Sequence, residues 1–303
     1  MTTTYHTPVL LGALLEAVGR PTRAVDATLG DGGHAGALRA AGASVLGIDR
    51  DPDAIAAARE RLGEVGMHYL TASYGSDAAL AAIAEFRPDL VLLDLGVSSH
   101  QLDEDARGFS FRPGVPLDMR MGGEGPAAAE LLNQADERRL EQIFRDWADE
   151  TKARRLAREI VRRRARHPFV VSDDLVNAIR AVRGPQAGPA DFARIFQGIR
   201  IAVNDELGEL ERALPAMRDA LVPGGLLAVI SYHSGEDRTV KRAFQEWSKR
   251  CVCPPRQPVC TCRGRSLGRA EPRKAILPDS AEIADNPRAR SAKLRLFRVG
   301  DEG

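Results

Sequence analysis

The 303-residue sequence is poor in aromatic side chains, at 5%, and all four of its cysteines fall within one stretch of twelve residues. The first shortage leaves the core to Ala, Val, Leu and Ile. The second excludes a disulfide framework spread over the fold. No window approaches the roughly 18 uninterrupted apolar residues of a membrane span, so no membrane partner is expected. The opening residues, MTTTYHTPVLL, lack the charged start and long apolar run of a secretion signal, and a cytoplasmic protein is expected. Net charge is small, +1 at pH 7, and no internal repeat is present.

What is present is a 44% hydrophobic fraction, enough for a sizeable core in one large domain or two modest ones. The near-neutral total hides an asymmetry. From Lys241 onward there are 15 Lys/Arg against 7 Asp/Glu, a net of +8 that leaves −7 for the first 240 residues. A basic tail suits a polyanionic partner, and equally a solvated surface.

Short apolar runs alternate with helical patterns over the first hundred residues. Residues 22–29 (TRAVDATL), 44–49 (SVLGID) and 89–95 (DLVLLDL) read as strands, with a helix beginning near Gly36 and another over 53–62. That rhythm predicts a parallel sheet covered on both faces. From Glu104 to about Arg120 the chain is loop-like, and from Ala128 to about Ile199 it is helical without strands. A helix over 204–221, a Pro-Gly-Gly turn and the strand LLAVIS (226–231) then restore the alternation, and the chain closes on the strand-like KLRLFRV. The expected fold class is α/β, a Rossmann-like domain interrupted by a helical insertion. Its expected division is 1–106 as first segment, 107–203 as insertion for substrate recognition, and 204–303 as second segment with a basic Cys-containing tail.

After the first strand comes DATLGDGGHAG, where Gly30, Gly32 and Gly33 turn the chain into a helix. Glycines allow positive φ and close backbone approach to a ligand, although loops use them freely for structural reasons too. Asp49 closes the second strand 19 residues after Gly30, where a carboxylate can accept from both ribose hydroxyls. This arrangement suits NAD as well as S-adenosylmethionine. One feature of the residues favours the latter: no second mononucleotide-binding half follows. DLVLLDL ending in Asp94 before a DLGVSS loop, and a helix leading through LVPGG into an apolar strand, favour it only by their resemblance to methyltransferase patterns.

The stretches YHTPVLL (5–11), GDGGHAG (30–36), GIDRDPDAI (47–55), DLGVSSHQLD (94–103), GFSFRPGVPLDMRM (108–121), FQGIRIAVNDELGEL (196–210), ISYHSGEDRTVK (230–241) and NPRARSAKLR (286–295) span nearly the whole chain. Together they resemble the bacterial 16S rRNA cytosine-N4 methyltransferases, the RsmH or MraW family. The resemblance implies an S-adenosylmethionine-dependent methyltransferase with a helical insertion. It implies methylation of the exocyclic N4 of a cytidine in the decoding region of 16S rRNA, within the small ribosomal subunit. It implies donor contacts at Gly32, Gly33 and His34, Asp49 at the ribose, Tyr74 beside the adenine, Asp94 at the methionine end and Gln101 closing the site. His100, Ala35 and Gly235 depart from the family's usual Pro, Ser and Leu.

Cytosine N4 is a weak nucleophile because its lone pair is delocalised into the ring. Asp94 or a nearby backbone carbonyl is the first candidate to accept from the amino group, and Asp118 of PLDMRM the second. His233 of SYHSGED is the candidate proton acceptor and Tyr232 a stacking partner. Each has a plainer reading. His34 and His233 can be satisfied structural histidines, Asp118 can pair with Arg120, and Tyr232 can belong to the core. Basic tracts at 152–166 and 263–274, with Arg288, Arg290, Lys293 and Arg295, are candidates for phosphate contact. Cys251-Val-Cys253 and Cys260-Thr-Cys262 form a CxC…CxC set. Spacing leaves open a structural zinc, reduced thiols without metal, and disulfide or redox use. Competing functions are a ribosome-assembly factor with vestigial methyl transfer, an amino-methyltransferase on DNA, and an NAD-dependent oxidoreductase. Oligomeric state is not encoded in any of these patterns.

Overall fold

The computed structural model describes residues 8–96, 105–123, 125–254, 256–257 and 259–300. The chain divides into two compact units, Met1–Gly96 with Leu207–Gly303, and Val97–Glu206. In chain order the helices are α1 (Leu11–Val18), α2 (Gly33–Ala40), α3 (Pro52–Leu62), α4 (Asp77–Phe86), α5 (Ala128–Gln134), α6 (Glu137–Asp146), α7 (Ala153–Arg164), α8 (Ser172–Arg183), α9 (Pro189–Asn204), α10 (Glu206–Ala220), α11 (Ser234–Trp247) and α12 (Ser280–Asp285). The strands are β1 (Arg23–Asp26), β2 (Ser44–Asp49), β3 (Met67–Thr71), β4 (Leu90–Asp94), β5 (Leu226–Ser231), β6 (Gly268–Ala270) and β7 (Lys293–Val299).

All seven strands form one sheet in the first unit, ordered β3-β2-β1-β4-β5-β7-β6. β1 to β5 are mutually parallel, and β7 runs antiparallel to β5 and β6. Successive strand residues point to opposite faces. Leu90, Leu92, Leu226, Ala228 and Ile230 accordingly pack with Leu14, Leu38 and Ile55 of α1 to α3. Val91, Leu93, Leu227 and Val229 pack on the other face with Ile83, Leu214 and Phe244 of α4, α10 and α11. Coverage of both faces explains why β4 and β5 read as unbroken apolar runs.

Local signals set several ends. Asp51 caps α3 by accepting from Asp53 N–H at 3.1 Å, Pro52 occupies its first position, and Gly63 follows its end. Ser76 caps α4 in the same way. Three of the expected spans shift: β1 is shorter than residues 22–29, α2 begins at Gly33 rather than Gly36, and α10 runs from Glu206 to Ala220. β3, α1 and α4 have no counterpart in the sequence reading. β3 is an edge strand with only Met67 fully buried, so it shows no apolar run.

The second unit contains α5 to α9 around its own core, which includes Leu140, Phe144, Leu156, Ile160, Phe169, Ile179, Phe196 and Ile199. The sequence breaks drawn at 106 and 203 differ from the structural ones at 96 and 206. At the second break the reason is plain: α9 continues through Asn204 and ends only where Asp205 turns left-handed, with φ 49. No helix among the described residues is long and apolar enough to cross a membrane.

Candidate active site

The strand order changes direction between β1 and β4. In open parallel sheets this reversal opens a crevice beyond the carboxyl ends of the strands. Three strands reach that edge on an aspartate: Asp26 in β1, Asp49 in β2 and Asp94 in β4.

Between β1 and α2 the backbone passes through Gly30 at φ 53 and Gly32 at φ 81, a region that L side chains enter at a cost of about 1–2 kcal/mol. A Cβ on Gly30 would stand in open space, so this stretch of backbone is approachable. Gly32 and Gly33 answer to packing: a Cβ there would meet Leu62 Cδ1 at 2.7 Å and Pro8 Cγ at 2.6 Å respectively.

Asp49 is held by two backbone donors. Gly30 N–H donates to Oδ2 and Asp51 N–H to Oδ1, both at 2.9 Å. Each oxygen retains a lone pair for a further donor, the requirement for holding a ribose diol. Burial raises its pKa, and the two backbone hydrogen bonds oppose that rise. Asp26 is buried, accepts from Thr28 N–H at 3.3 Å, and is pushed up to about 6, chiefly by burial.

Asp94 is held through both its backbone and its carboxylate. Its N–H donates to Thr28 Oγ1 at 2.6 Å, and the Tyr232 hydroxyl donates to its Oδ1 at 2.8 Å. Burial pushes its pKa up to about 7 against the lowering effect of Tyr232, yet 23% of the side chain stays accessible. His34 Nε2 lies 3.0 Å from the Val9 carbonyl, and its Nδ1 lies 3.6 Å from Asp94 Oδ2. A carbonyl only accepts, so Nε2 carries the hydrogen, and burial, which lowers the His34 pKa, favours the neutral ring. The bare Nδ1 then faces a carboxylate, which favours a proton on Asp94. His34 and Tyr232 thus both position Asp94.

Tyr74 is half-buried in the turn after β3, at the same strand edge. Glu209 of α10 holds that turn: its carboxylate accepts from the Arg50 guanidinium, from the Ser73 hydroxyl, and from Gly75 N–H at 2.8 Å. Glu209 is buried and has no signal in the sequence beyond lying in a family-like stretch, because its partners are over 130 residues away. Glu236 was missed for a different reason, as it reads like any acid in a first helical turn. Its Oε2 accepts from Tyr232 N–H at 2.8 Å and fixes the approach of that ring.

His233 occupies a different position from the proton acceptor expected of it. Its Nδ1 accepts from Gly235 N–H at 3.2 Å and Glu236 N–H at 3.4 Å, capping α11, and its Nε2 lies 3.0 Å from Glu236 Oε1. Protonation at Nδ1 would break the cap. Asp118 likewise meets its plainer reading. Within the second unit Arg120 grips both its oxygens, Nε to Oδ1 at 2.9 Å and Nη2 to Oδ2 at 2.7 Å. These hydrogen bonds hold the Asp118 carboxyl below its ordinary range. Tyr232 uses its hydroxyl on Asp94 and packs its ring against the sheet core. Gln101 and His100 lie outside the described residues.

The basic tracts are partly committed. On α7, Arg162 and Arg163 pair with Glu159 at 2.7 Å, and Arg164 donates to the Leu132 and Ala135 carbonyls at the end of α5. Arg154, Arg155 and Arg166 are exposed and have no side-chain partner among the described residues. In the tail Lys293 and Arg295 pair with Asp237, leaving Arg265, Arg273, Lys274 and Arg290 exposed without such partners among the described residues.

The family model of the MraW methylases matches residues 3–299. The ribosomal RNA small subunit methyltransferase H of Gemmatimonas aurantiaca is 57% identical over 302 residues, covering 98% of this chain and 96% of the relative. The proteins of the same name from Heliobacterium modesticaldum and Rubrobacter xylanophilus are 45% and 44% identical, with at least 96% of each chain covered. A glycine bend and three strand-end carboxylates at the sheet's switch point thus coincide with a match over almost the whole length, and the chain belongs to the MraW methylase family.

Proposed function

We propose that this chain transfers a methyl group from S-adenosylmethionine to the exocyclic N4 of a cytidine in the decoding region of 16S rRNA. It would act in the cytoplasm on the small ribosomal subunit. The observation that carries the reading is the pairing of Asp49 and Asp94 across the switch point, one carboxylate with free lone pairs and one poised near neutrality. Three relatives named as small-subunit rRNA methyltransferases support the substrate class.

The donor set fits the cofactor. Asp49 offers acceptors for the ribose hydroxyls, Gly30 offers approachable backbone, and Tyr74 offers a ring beside the adenine. The bound donor supplies a sulfonium-activated methyl. The chain's own work is orientation, which contributes roughly 7–11 kcal/mol in favourable systems. Asp94, once deprotonated, accepts from the target amino group and draws electron density onto N4. Tyr232 and His34 fix the orientation of that carboxylate. The target base leaves its stack at a cost of a few kcal/mol, less in distorted RNA. Phosphate contacts offset part of this cost, and Arg154, Arg155 and Arg166 are suited to making them. Arg166 also lines a groove of about 260 Å³ with Arg162, Arg163 and His167.

The decisive test offers methyl donor with 30S particles, naked 16S rRNA and duplex DNA, followed by nucleoside analysis. N4-methylcytidine from the 30S particles is the expected product. Modified DNA, or no product with donor binding intact, would favour the DNA enzyme or the assembly factor respectively. Asp94→Ala is expected to lower single-turnover rate at saturating donor by about 100-fold or more.

A further inference from the structure

The cysteine set has no part in the methyl-transfer reading, and its geometry is specific. Cys251, Cys253, Cys260 and Cys262 lie in the connection between α11 and β6, and all four thiols are free. The four sulfurs lie within 4.8 Å of one another. Three separations are 3.9 Å for Cys251–Cys260, 3.9 Å for Cys253–Cys260 and 3.5 Å for Cys260–Cys262. A disulfide requires about 2.05 Å. Tetrahedral zinc–thiolate bonds of about 2.3 Å give sulfur–sulfur edges of about 3.8 Å. These three spacings lie close to the edges of that tetrahedron.

We infer that these four cysteines bind one structural zinc ion, closing the α11–β6 connection into a metal knuckle. The surroundings suit it. Four thiolates around Zn²⁺ carry a net charge of −2. Residues 247–270 hold six Lys/Arg and no acid, so the connection is electrostatically matched to an anionic centre. Cys262 Sγ accepts from Val252 N–H at 3.3 Å, the kind of backbone support a thiolate ligand needs. Four protein ligands complete the coordination, which makes the site structural and not hydrolytic.

The consequence is positional. Arg263, adjacent to Cys262, donates through Nη2 to the Glu246 and Lys249 carbonyls at the end of α11, the latter at 3.0 Å. Leu267 N–H donates to the Trp247 carbonyl at 2.8 Å. A metal at the cysteines would lock this return and hold the exposed Arg256 and Arg265 in fixed positions.

Metal content of the full chain, purified without chelator under reducing conditions, tests the inference. One zinc per chain is expected, and exchange for cobalt is expected to give the visible absorption of tetrahedral thiolate coordination. Cys260→Ser and, separately, Cys251→Ser are expected to lose zinc affinity by about tenfold or more. Should either variant fold poorly, the wild-type protein supplies an independent readout. Its stripping by chelator is expected to speed tryptic cleavage at Arg256, Arg263 and Arg265 by about tenfold. A chain that carries no zinc, refuses cobalt and either titrates as four thiols or holds two disulfides overturns the assignment. Cleavage that does not respond to metal removal overturns the positional role.

Discussion

Burial of Asp94 makes the site pH-sensitive, and its Oδ2 stands 3.6 Å from His34 Nδ1. The carboxyl moves from an ordinary 3.8 to about 7 on folding. In this window the folded chain keeps a proton that the unfolded chain has released. Its stabilising contribution is complete below about 4 and is lost as pH rises through about 7. Asp94→Asn removes this titration and leaves that of Asp26, whose rise comes chiefly from burial and only in smaller part from Asp94. Across that window the variant is expected to gain on wild type by up to about 1.4 kcal/mol per pH unit in urea unfolding. A difference independent of pH contradicts the placement. His233 gives a second residue-scale test. As a helix cap, His233→Ala is expected to cost about 1 kcal/mol while leaving single-turnover methylation within a few-fold of wild type. A loss of about a hundredfold would restore it as a proton acceptor. The glycine bend and the strand-end aspartates were legible because each is local in sequence. The Tyr232–Asp94 contact spans 138 residues, and no spacing rule points to it.

Among the elements, those with two buried faces or clear caps could be read directly, as β4, β5 and α3 show. β3 could not, since an edge strand with one fully buried residue has no apolar signature. Its following turn depends on a distant helix. Glu209→Ala leaves Arg50 without its buried carboxylate partner and frees Gly75 N–H, at an expected cost of about 2–4 kcal/mol by denaturant unfolding. An unchanged unfolding midpoint would contradict the role given to that carboxylate. In the second unit Gly108 takes φ 79, and a Cβ there would lie 2.5 Å from the Pro116 carbonyl oxygen and 2.7 Å from Asp118 N. Gly108→Ala is therefore expected to destabilise by about 1–3 kcal/mol. Hydrogen exchange should register the loss in α5 to α9 and not in the sheet, because the helices hold a separate core. Equal loosening of β4 and β5 would contradict that independence.

For the molecule as a whole, the change from alternating strands to continuous helix was visible in sequence, and the compact units of the structure divide at 96 and 206. The basic tracts were less legible. Charge counts do not distinguish arginines held by Glu159 or by carbonyls from the exposed Arg154 and Arg155. RNA affinity is expected to fall linearly with salt on logarithmic axes, and replacing Arg154 and Arg155 with alanine should reduce the slope by about 1–2. An unchanged slope would remove α7 from the RNA-binding surface. Calorimetric titration of the purified chain with S-adenosylmethionine probes the switch point itself. Saturable binding to wild type, lost on Asp49→Ala and absent for NAD, is expected. A wild-type chain that ignores the sulfonium donor, or an Asp49→Ala chain that binds it with undiminished affinity, would contradict donor binding at the switch point.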